Sequence, residues 1–245
     1  MRRRLENSGQ VVLAEFSDGN VRDIFLPLLR RLTRLRREKG RRVVALLAAP
    51  PGAGKSTLAA LLEALSRETP GAAPLTALGM DGFHRRQAYL ESHTLWRNGE
   101  LIPMARVKGA PETFDLEKLR EALARAAVGE DCPWPVYDRT LHDPVEGALR
   151  VTGPIALVEG NYLLLDEPGW RELRKHADYT VFITADPEYL RGRLMERHLS
   201  TGKPPEAARA MVESDMENAA LCLEKSAPAD LRLRLMDDDT FTVEE

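Results

Sequence analysis

The run Arg42-Val43-Val44-Ala45-Leu46-Leu47-Ala48-Ala49-Pro50-Pro51-Gly52-Ala53-Gly54-Lys55-Ser56-Thr57 constrains the fold more than any other stretch of the 245 residues. Its first half is continuously apolar with a polar flank, the pattern of a strand buried on both faces of a parallel sheet. Its second half is a Gly/Pro loop ending in Lys-Ser-Thr, followed by a helical pattern over Ser56–Arg67. A strand, a glycine-rich loop and a helix in this order make a phosphate cradle from Pro51, Gly52, Ala53, Gly54, Lys55, Ser56 and Thr57. Gly52 and Gly54 let backbone N–H groups turn inward toward phosphate oxygens. The helix opening at Lys55 adds its free N–H groups and its dipole. Lys55 can reach the β and γ phosphates, and the Ser56 hydroxyl is placed for Mg²⁺. The strict pattern has glycine where this chain has Ala49; alanine restricts φ, but the inner glycines, the lysine and the serine are all present. The competing reading, a Gly/Pro turn with an incidental lysine, does not explain the strand-loop-helix setting. No Asn-Lys-x-Asp run of the kind that reads guanine occurs, which favours ATP as the nucleotide.

Similar apolar runs recur at Leu75–Met80, Ile155–Val158 and Tyr179–Thr184, with helical patterns over Asp115–Ala127, Trp170–His176 and Asp186–Leu199. The alternation predicts a doubly wound α/β sheet. Asp186-Pro187 reads as a cap followed by proline at the first helical position. Pro204-Pro205 starts a helix to about Leu223, and Leu231–Leu235 alternates as a last strand. Asp237-Asp238-Asp239 and Glu244-Glu245 read as an acidic, mobile tail. Before the first buried strand, Leu5–Val11 reads as a short hairpin with Asn7-Ser8-Gly9 as turn residues. Ser17–Asn20 then caps a helix whose apolar positions, from Val21 to Leu35, keep helical spacing, with Gly40 as its stop. No linker separates two cores, so one domain is expected over 1–245, with an extension over 1–41 and a core over 42–236.

Composition excludes several classes. The longest apolar run, Val43–Pro51, is about half of the roughly 20 residues that a membrane helix needs. The start MRRRLENSGQ has basic residues but no apolar stretch after them, unlike a secretory signal. Cys132 and Cys222 make neither a disulfide framework nor a metal cluster. A reduced, cytoplasmic protein is expected. The net charge of −3 hides a basic first segment: residues 1–42 hold 12 Lys/Arg against 5 Asp/Glu. Such a segment can be a nucleic-acid arm or the solvated face of a helix. Its arginines fall mainly between the apolar positions and no aromatics interleave them, which favours the second reading.

Met80-Asp81-Gly82-Phe83-His84 follows the second apolar strand. Ligands of open α/β sheets bind beyond the carboxyl ends of the strands, so Asp81 falls on the γ-phosphate side of the cradle. A carboxylate there can accept the proton of an acceptor hydroxyl in phosphoryl transfer, although Asp-Gly also makes ordinary turns. Glu159, at the end of the third apolar run, can hold Mg²⁺ opposite Ser56 or simply end a strand in solvent. Arg193 and Arg197 share a helix face.

These strings resemble P-loop kinases of the uridine kinase, phosphoribulokinase and type I pantothenate kinase group. Met80–His84 is most similar to bacterial members named for a fructose transport system. Lys108–Asp115 is similar to the segment these kinases place before a helix. Pro135–Pro144 resembles their substrate-facing loop, with the Tyr-to-His spacing of uridine kinases, and Leu157–Asp166 resembles their Walker B strand. The likeness runs from about Val43 to Asn218. It implies a P-loop NTPase three-layer sandwich with a mostly parallel sheet, and a lid near 186–205 whose arginines, Arg193 and Arg197, close over the phosphates. Arg191 and Lys203 are weaker lid candidates. It also implies an acceptor site drawn from Asp81, His84, Lys108, Phe114, Tyr137, Arg139 and His142. Phe114 can equally be core, and His84 and His142 ordinary surface histidines. Trp96 and Trp134 read as packing residues, and 85–106 as a Gly/Pro-punctuated insertion. Asp215 and Asn218 are assigned no role.

The expected activity is ATP- and Mg²⁺-dependent phosphorylation of a hydroxyl on a small metabolite: a nucleoside, a pantothenate-like alcohol or a sugar. No nucleic-acid or membrane partner is expected, and a homodimer is compatible with the chain. The rival expectation is a nucleotide-binding regulatory ATPase without an acceptor.

Overall fold

A computed structural model describes residues 1–7, 10–97 and 99–244. The chain opens with an antiparallel hairpin, β1 (Arg2–Asn7) and β2 (Gln10–Glu15). Its turn residues Ser8 and Gly9 lie outside the described residues. A helical segment then begins at Asp18, passes through a π turn at Val21–Phe25 and continues as α1 (Leu26–Lys39), closed by Gly40. After it come β3 (Val43–Ala48), α2 (Lys55–Glu68) and β4 (Leu75–Gly79). The 85–106 stretch has regular structure of its own: α3 (Gln87–Ser92) and a hairpin of β5 (Thr94–Arg97) with β6 (Glu100–Pro103). Next are α4 (Leu116–Ala127), a second hairpin of β7 (Cys132–Asp138) with β8 (Asp143–Val151), and β9 (Ile155–Gly160). The chain finishes with β10 (Tyr179–Ala185), α5 (Pro187–Ser200), α6 (Pro205–Lys225), β11 (Leu231–Leu235) and β12 (Phe241–Glu244).

Among the described residues the central sheet has six strands in the order β12-β11-β10-β3-β9-β4, parallel except for β12. Of the strands predicted from apolar runs, β10, β3 and β9 lie inside the sheet and β4 forms its edge; β3 is buried along its whole length. Alternate side chains of β3 feed two cores. Val43, Ala45 and Leu47 pack with α1 and α2, while Val44, Leu46 and Ala48 pack with α4 and the Trp170 region. The result is the three-layer arrangement expected of an α/β doubly wound sheet. Register sets the functional edge: Ala48 pairs with Gly160, Leu47 with Glu159, and Gly79 with Glu159. The carboxyl ends of β3, β4 and β9 therefore finish together.

Two expectations need correction. The acidic C-terminal stretch is not a loose tail as far as Glu244; Glu245 lies outside the described residues. Asp237–Asp239 form the turn of an antiparallel β11–β12 pair, in which the Asp238 carboxylate accepts from Thr240 N at 3.0 Å. Phe241 packs edge-on to Phe25, and its backbone exchanges two 2.7 Å hydrogen bonds with the Asn20 side chain. Trp96, read as a packing residue, stands 74% exposed on β5, whereas Trp134 is buried and donates to Gly79 O at 2.9 Å. The basic first segment is partly a solvated face and partly cross-linked to the acidic body. Arg41 grips Asp178 with two bonds of 2.8 and 2.7 Å, and the buried Arg42 pairs with Asp131 at 2.6 Å.

Candidate active site

The phosphate cradle is built locally. Gly54 sits at the N-cap of α2 with φ 77°, a left-handed conformation that glycine adopts without strain. Leu58 N donates to Gly54 O at 3.0 Å, so α2 starts immediately after the turn and its first N–H groups are left for a ligand. Ala49 is fully buried and is not among the residues with positive φ, so alanine is accommodated where the strict pattern has glycine. Pro51 and Ala53 are buried, while Gly52, Gly54, Lys55, Ser56 and Thr57 are half-exposed.

Asp81 lies on a 3₁₀ turn, Met80–Phe83, directly after β4. A Cβ at Gly82 would fall 2.0 Å from Pro135 O, so this turn is pressed onto the backbone of β7. His84 N donates to Asp81 O at 3.1 Å, and an isolated bridge joins His84 to Phe114. These contacts hold the Asp81 turn between the β7–β8 hairpin and the Lys108–Asp115 segment. Glu159, 8% exposed, is the buried carboxylate at the end of β9. Burial pushes its carboxyl up to about 7; Lys55 opposes the shift, Asp81 reinforces it, and the neighbouring Ser56 hydroxyl opposes it. Ser56, Asp81, Tyr137 and Glu159 line one cleft of about 630 Å³ beside the cradle.

The other candidates are not among the residues that line this cleft; His84 lines a smaller one with Tyr89 and Asp115. The His84 ring stacks on Phe114 at 3.9 Å between centroids and meets the edge of Tyr137 at 5.4 Å. Burial lowers the His84 imidazole below its ordinary value, Asp81 pulls it back, and Lys108 adds to the fall. His84 Nδ1 is buried without a hydrogen-bond partner among the described residues. Phe114 is 3% exposed and also packs against Tyr162 and Trp170, so of its two readings the core one describes its position. Lys108 Nζ donates to Gln87 Oε1 and His142 O, both at 2.8 Å, and lies 5.2 Å from the Tyr137 ring centroid. His142 turns left-handed, φ 55°, with its side chain exposed, so its carbonyl is what faces Lys108. Arg139 is exposed at the hairpin turn, yet its charge acts on both His84 and Glu159.

On α5, the Asp186 cap accepts from Glu188 N and Tyr189 N. Arg193 Nε donates to Gly52 O at 2.9 Å, which puts this guanidinium against the cradle. Its Nη1 pairs with Asp239, whose carboxylate also accepts from Tyr189 OH at 2.9 Å. Arg197 pairs with Asp215 at 3.0 Å, and Asp215 also bonds His198 Nε2 at 2.8 Å. Arg191 pairs with Glu213 on α6 at 2.5 Å, and Lys203 is exposed at the α5–α6 turn. Sequence reasoning missed Asp215 and Asp239 as the partners of the two arginines. Both contacts join separate elements, and no local spacing announces them.

No family model matches the chain. It is 39% identical over 98% of its length, and 98% of the relative's, to the uncharacterized protein YggC of Escherichia coli K12. It is 31% identical over 79% of its length, and 83% of the relative's, to a protein described as a putative uridine kinase of Schizosaccharomyces pombe. The solved structure of a putative fructose transport system kinase from Silicibacter sp. TM1040 superposes with a TM-score of 0.69 at 34% identity, covering 83% of this chain and 98% of that one. The chain belongs to the P-loop kinases of the uridine kinase, phosphoribulokinase and type I pantothenate kinase group. The functional edge of this P-loop kinase is thus the shared carboxyl end of β3, β4 and β9, and no described helix is long and apolar enough to cross a membrane.

Proposed function

We propose that this chain is an ATP- and Mg²⁺-dependent phosphotransferase that phosphorylates a hydroxyl group of a small metabolite. The observation that carries the reading is the single cleft shared by Ser56, Asp81 and Glu159, open beside the cradle and large enough for a small ligand. In this reading the cradle N–H groups and Lys55 hold the nucleotide phosphates. Ser56 and Glu159 supply hard oxygen donors suited to Mg²⁺, in a spot where the buried carboxylate lacks full charge compensation. A Mg²⁺ held by these two residues would neutralise charge on the phosphate oxygens. Asp81 takes the proton from the acceptor hydroxyl. His84, with a buried unpartnered nitrogen, and Tyr137 orient the acceptor, while Lys108 and Arg139 set the potential around it. Arg193 already touches the cradle. Arg197 joins it when α5 closes, which excludes water from the transfer. The chemistry is then mostly positioning and electrostatic stabilisation.

The test is an ADP-release screen over nucleosides, pantothenate, ketohexoses and other sugars, with Asp81→Asn as the blank. The expected result is acceptor-dependent ADP release, reduced in Asp81→Asn by on the order of 10²–10⁴ with nucleotide affinity retained. ADP release that ignores every acceptor and is unchanged by Asp81→Asn would instead support a regulatory ATPase.

A further inference from the structure

Residues 16–25 and 236–244 both lie outside the span that carries the likeness to the kinases, yet they meet each other and finish on the phosphate cradle. The contact between them is a clamp. Asn20 Nδ2 donates to Phe241 O and Phe241 N donates to Asn20 Oδ1, both at 2.7 Å, so one side chain holds both backbone groups of the first residue of β12. The buried Phe241 ring meets Phe25 edge-on at 5.6 Å between centroids, and Phe25 in turn meets Phe16 at 6.1 Å.

Just before Phe241, Asp239 has no slack. Asp239 N donates to Met236 O at 3.0 Å and Met236 N donates to Thr240 O at 2.9 Å, which closes the turn. Asp239 holds a left-handed backbone, φ 61°, which aspartate and asparagine tolerate better than most residues. The turn directs its carboxylate to Arg193 Nη1 and Tyr189 OH. Arg193 itself reaches over the cradle. Its Nε donates to Gly52 O at 2.9 Å, and its Nη2 stands 3.8 Å from the place a Cβ would take on Gly54. The guanidinium that covers the glycine loop is therefore paired with a carboxylate whose position is set by Asn20 and Phe25.

We infer that this clamp is an autoinhibitory contact: the two ends of the chain hold Asp239 on Arg193 and thereby lower the affinity of the cradle for nucleotide phosphates. The inference rests on the reading above that the cradle holds those phosphates, and it adds a regulation of that site. Phosphate oxygens seek the same planar fork that Asp239 occupies, and the carboxylate beside them repels them. Arg193 Nη1 cannot serve both. Phosphate binding swings Asp239 off Arg193, which opens the turn and pulls on the clamp at Phe241. Linkage makes the effect mutual: loosening the clamp favours nucleotide, and nucleotide loosens the clamp by the same factor. A contact that only braced the fold would show no such coupling.

The experiment takes two readouts on the full chain. In the first, amide hydrogen exchange of the wild type is followed with and without saturating Mg-ATP. Amides over 236–244 should exchange at least about threefold faster with Mg-ATP, while those over 52–58 slow. In the second, Mg-ATP is titrated calorimetrically. Asn20→Ala, a change remote from the cradle, should lower Kd by about two- to fivefold, and Asp239→Asn, which keeps a residue tolerant of the left-handed turn, by a similar factor. The double variant should bind no tighter than Asp239→Asn alone, because both changes act through one contact. Arg22→Ala, beside Asn20 and paired with the exposed Asp23, should match the wild type. If Asn20→Ala does not fold, the exchange of the wild type decides alone. Exchange over 236–244 that is unchanged or slower with Mg-ATP, or a folded Asn20→Ala that binds no tighter than the wild type, overturns the inference and leaves the nucleotide reading standing. Absence of Mg-ATP binding by the wild type and Asp239→Asn alike overturns both.

Discussion

The residues that form the phosphate cradle, Pro51 to Thr57, are consecutive, whereas the walls facing Asp81 come from β1, α2, β4, the β7–β8 hairpin and β9. The cradle needs only a buried strand, two glycines and a helix start, all supplied within one short stretch. The cleft beside it exists only because distant segments pack to close tolerance, as at Gly82 against Pro135. A local site loses function when its own atoms are changed. A distributed site also loses function when packing beneath it shifts.

The largest effect that would sharpen this contrast is at Lys55. Lys55→Ala should reduce phosphoryl transfer by about 10²–10³ through lost charge stabilisation while the thermal unfolding midpoint stays near that of the wild type. A large drop in the midpoint would show that the cradle lysine also holds the fold together. Glu159 sits at the seam between the two halves. Its carboxyl is raised to about 7 by burial, so the folded protein holds a proton that the unfolded chain releases. Stability of the metal-free protein is therefore full below the ordinary carboxyl range and is lost as pH rises through about 7. Glu159→Gln should remove that loss. Its stability relative to wild type should climb between pH 5 and pH 8 by up to about 3 kcal/mol in denaturant titrations with chelator present. A flat difference would refute the burial argument.

Gly82→Ala tests the distributed half alone. The added methyl meets backbone rather than a mobile side chain, so a destabilisation of about 1–3 kcal/mol is expected. Acceptor KM should rise and nucleotide affinity should hold, measured by unfolding curves and by nucleotide titration. If nucleotide affinity falls in step, the two halves are not separable. The smallest effect concerns Asp239, which engages Arg193 beside the cradle. The pair is partly exposed and is worth about 0–1 kcal/mol. Asp239→Asn should release Arg193 toward the phosphates and tighten nucleotide binding by no more than a few-fold in a direct titration; weaker binding would show that Asp239 instead positions the arginine.

The same contrast explains what could be read in advance. Largely apolar runs marked β3, β4, β9 and β10, most clearly β3, which is buried on both faces and carries no polar position. Asp81 and Glu159 were legible because strand ends on one edge of a parallel sheet converge. The β7–β8 hairpin was not marked as strand, since Pro133 and Pro135 interrupt it and its register shifts between Trp134 and Val136. Asp237–Asp239 looked solvated because three acids in a row carry no apolar signal. Yet Phe241 beyond them closes onto Phe25 and Asn20, more than 200 residues away.

By itself the sequence determined the cradle, the buried strands along the chain and the carboxylates at their ends. Each depends on spacing within one element, which backbone geometry translates directly into position. Tertiary structure alone decided that Arg193 rests on Gly52 and Asp239, that Arg197 is held by Asp215, and that residues as far apart in the chain as Ser56 and Leu149 line one cleft. Those outcomes depend on contacts between segments far apart in the chain. Their partners are selected by packing of the whole, which no local pattern encodes.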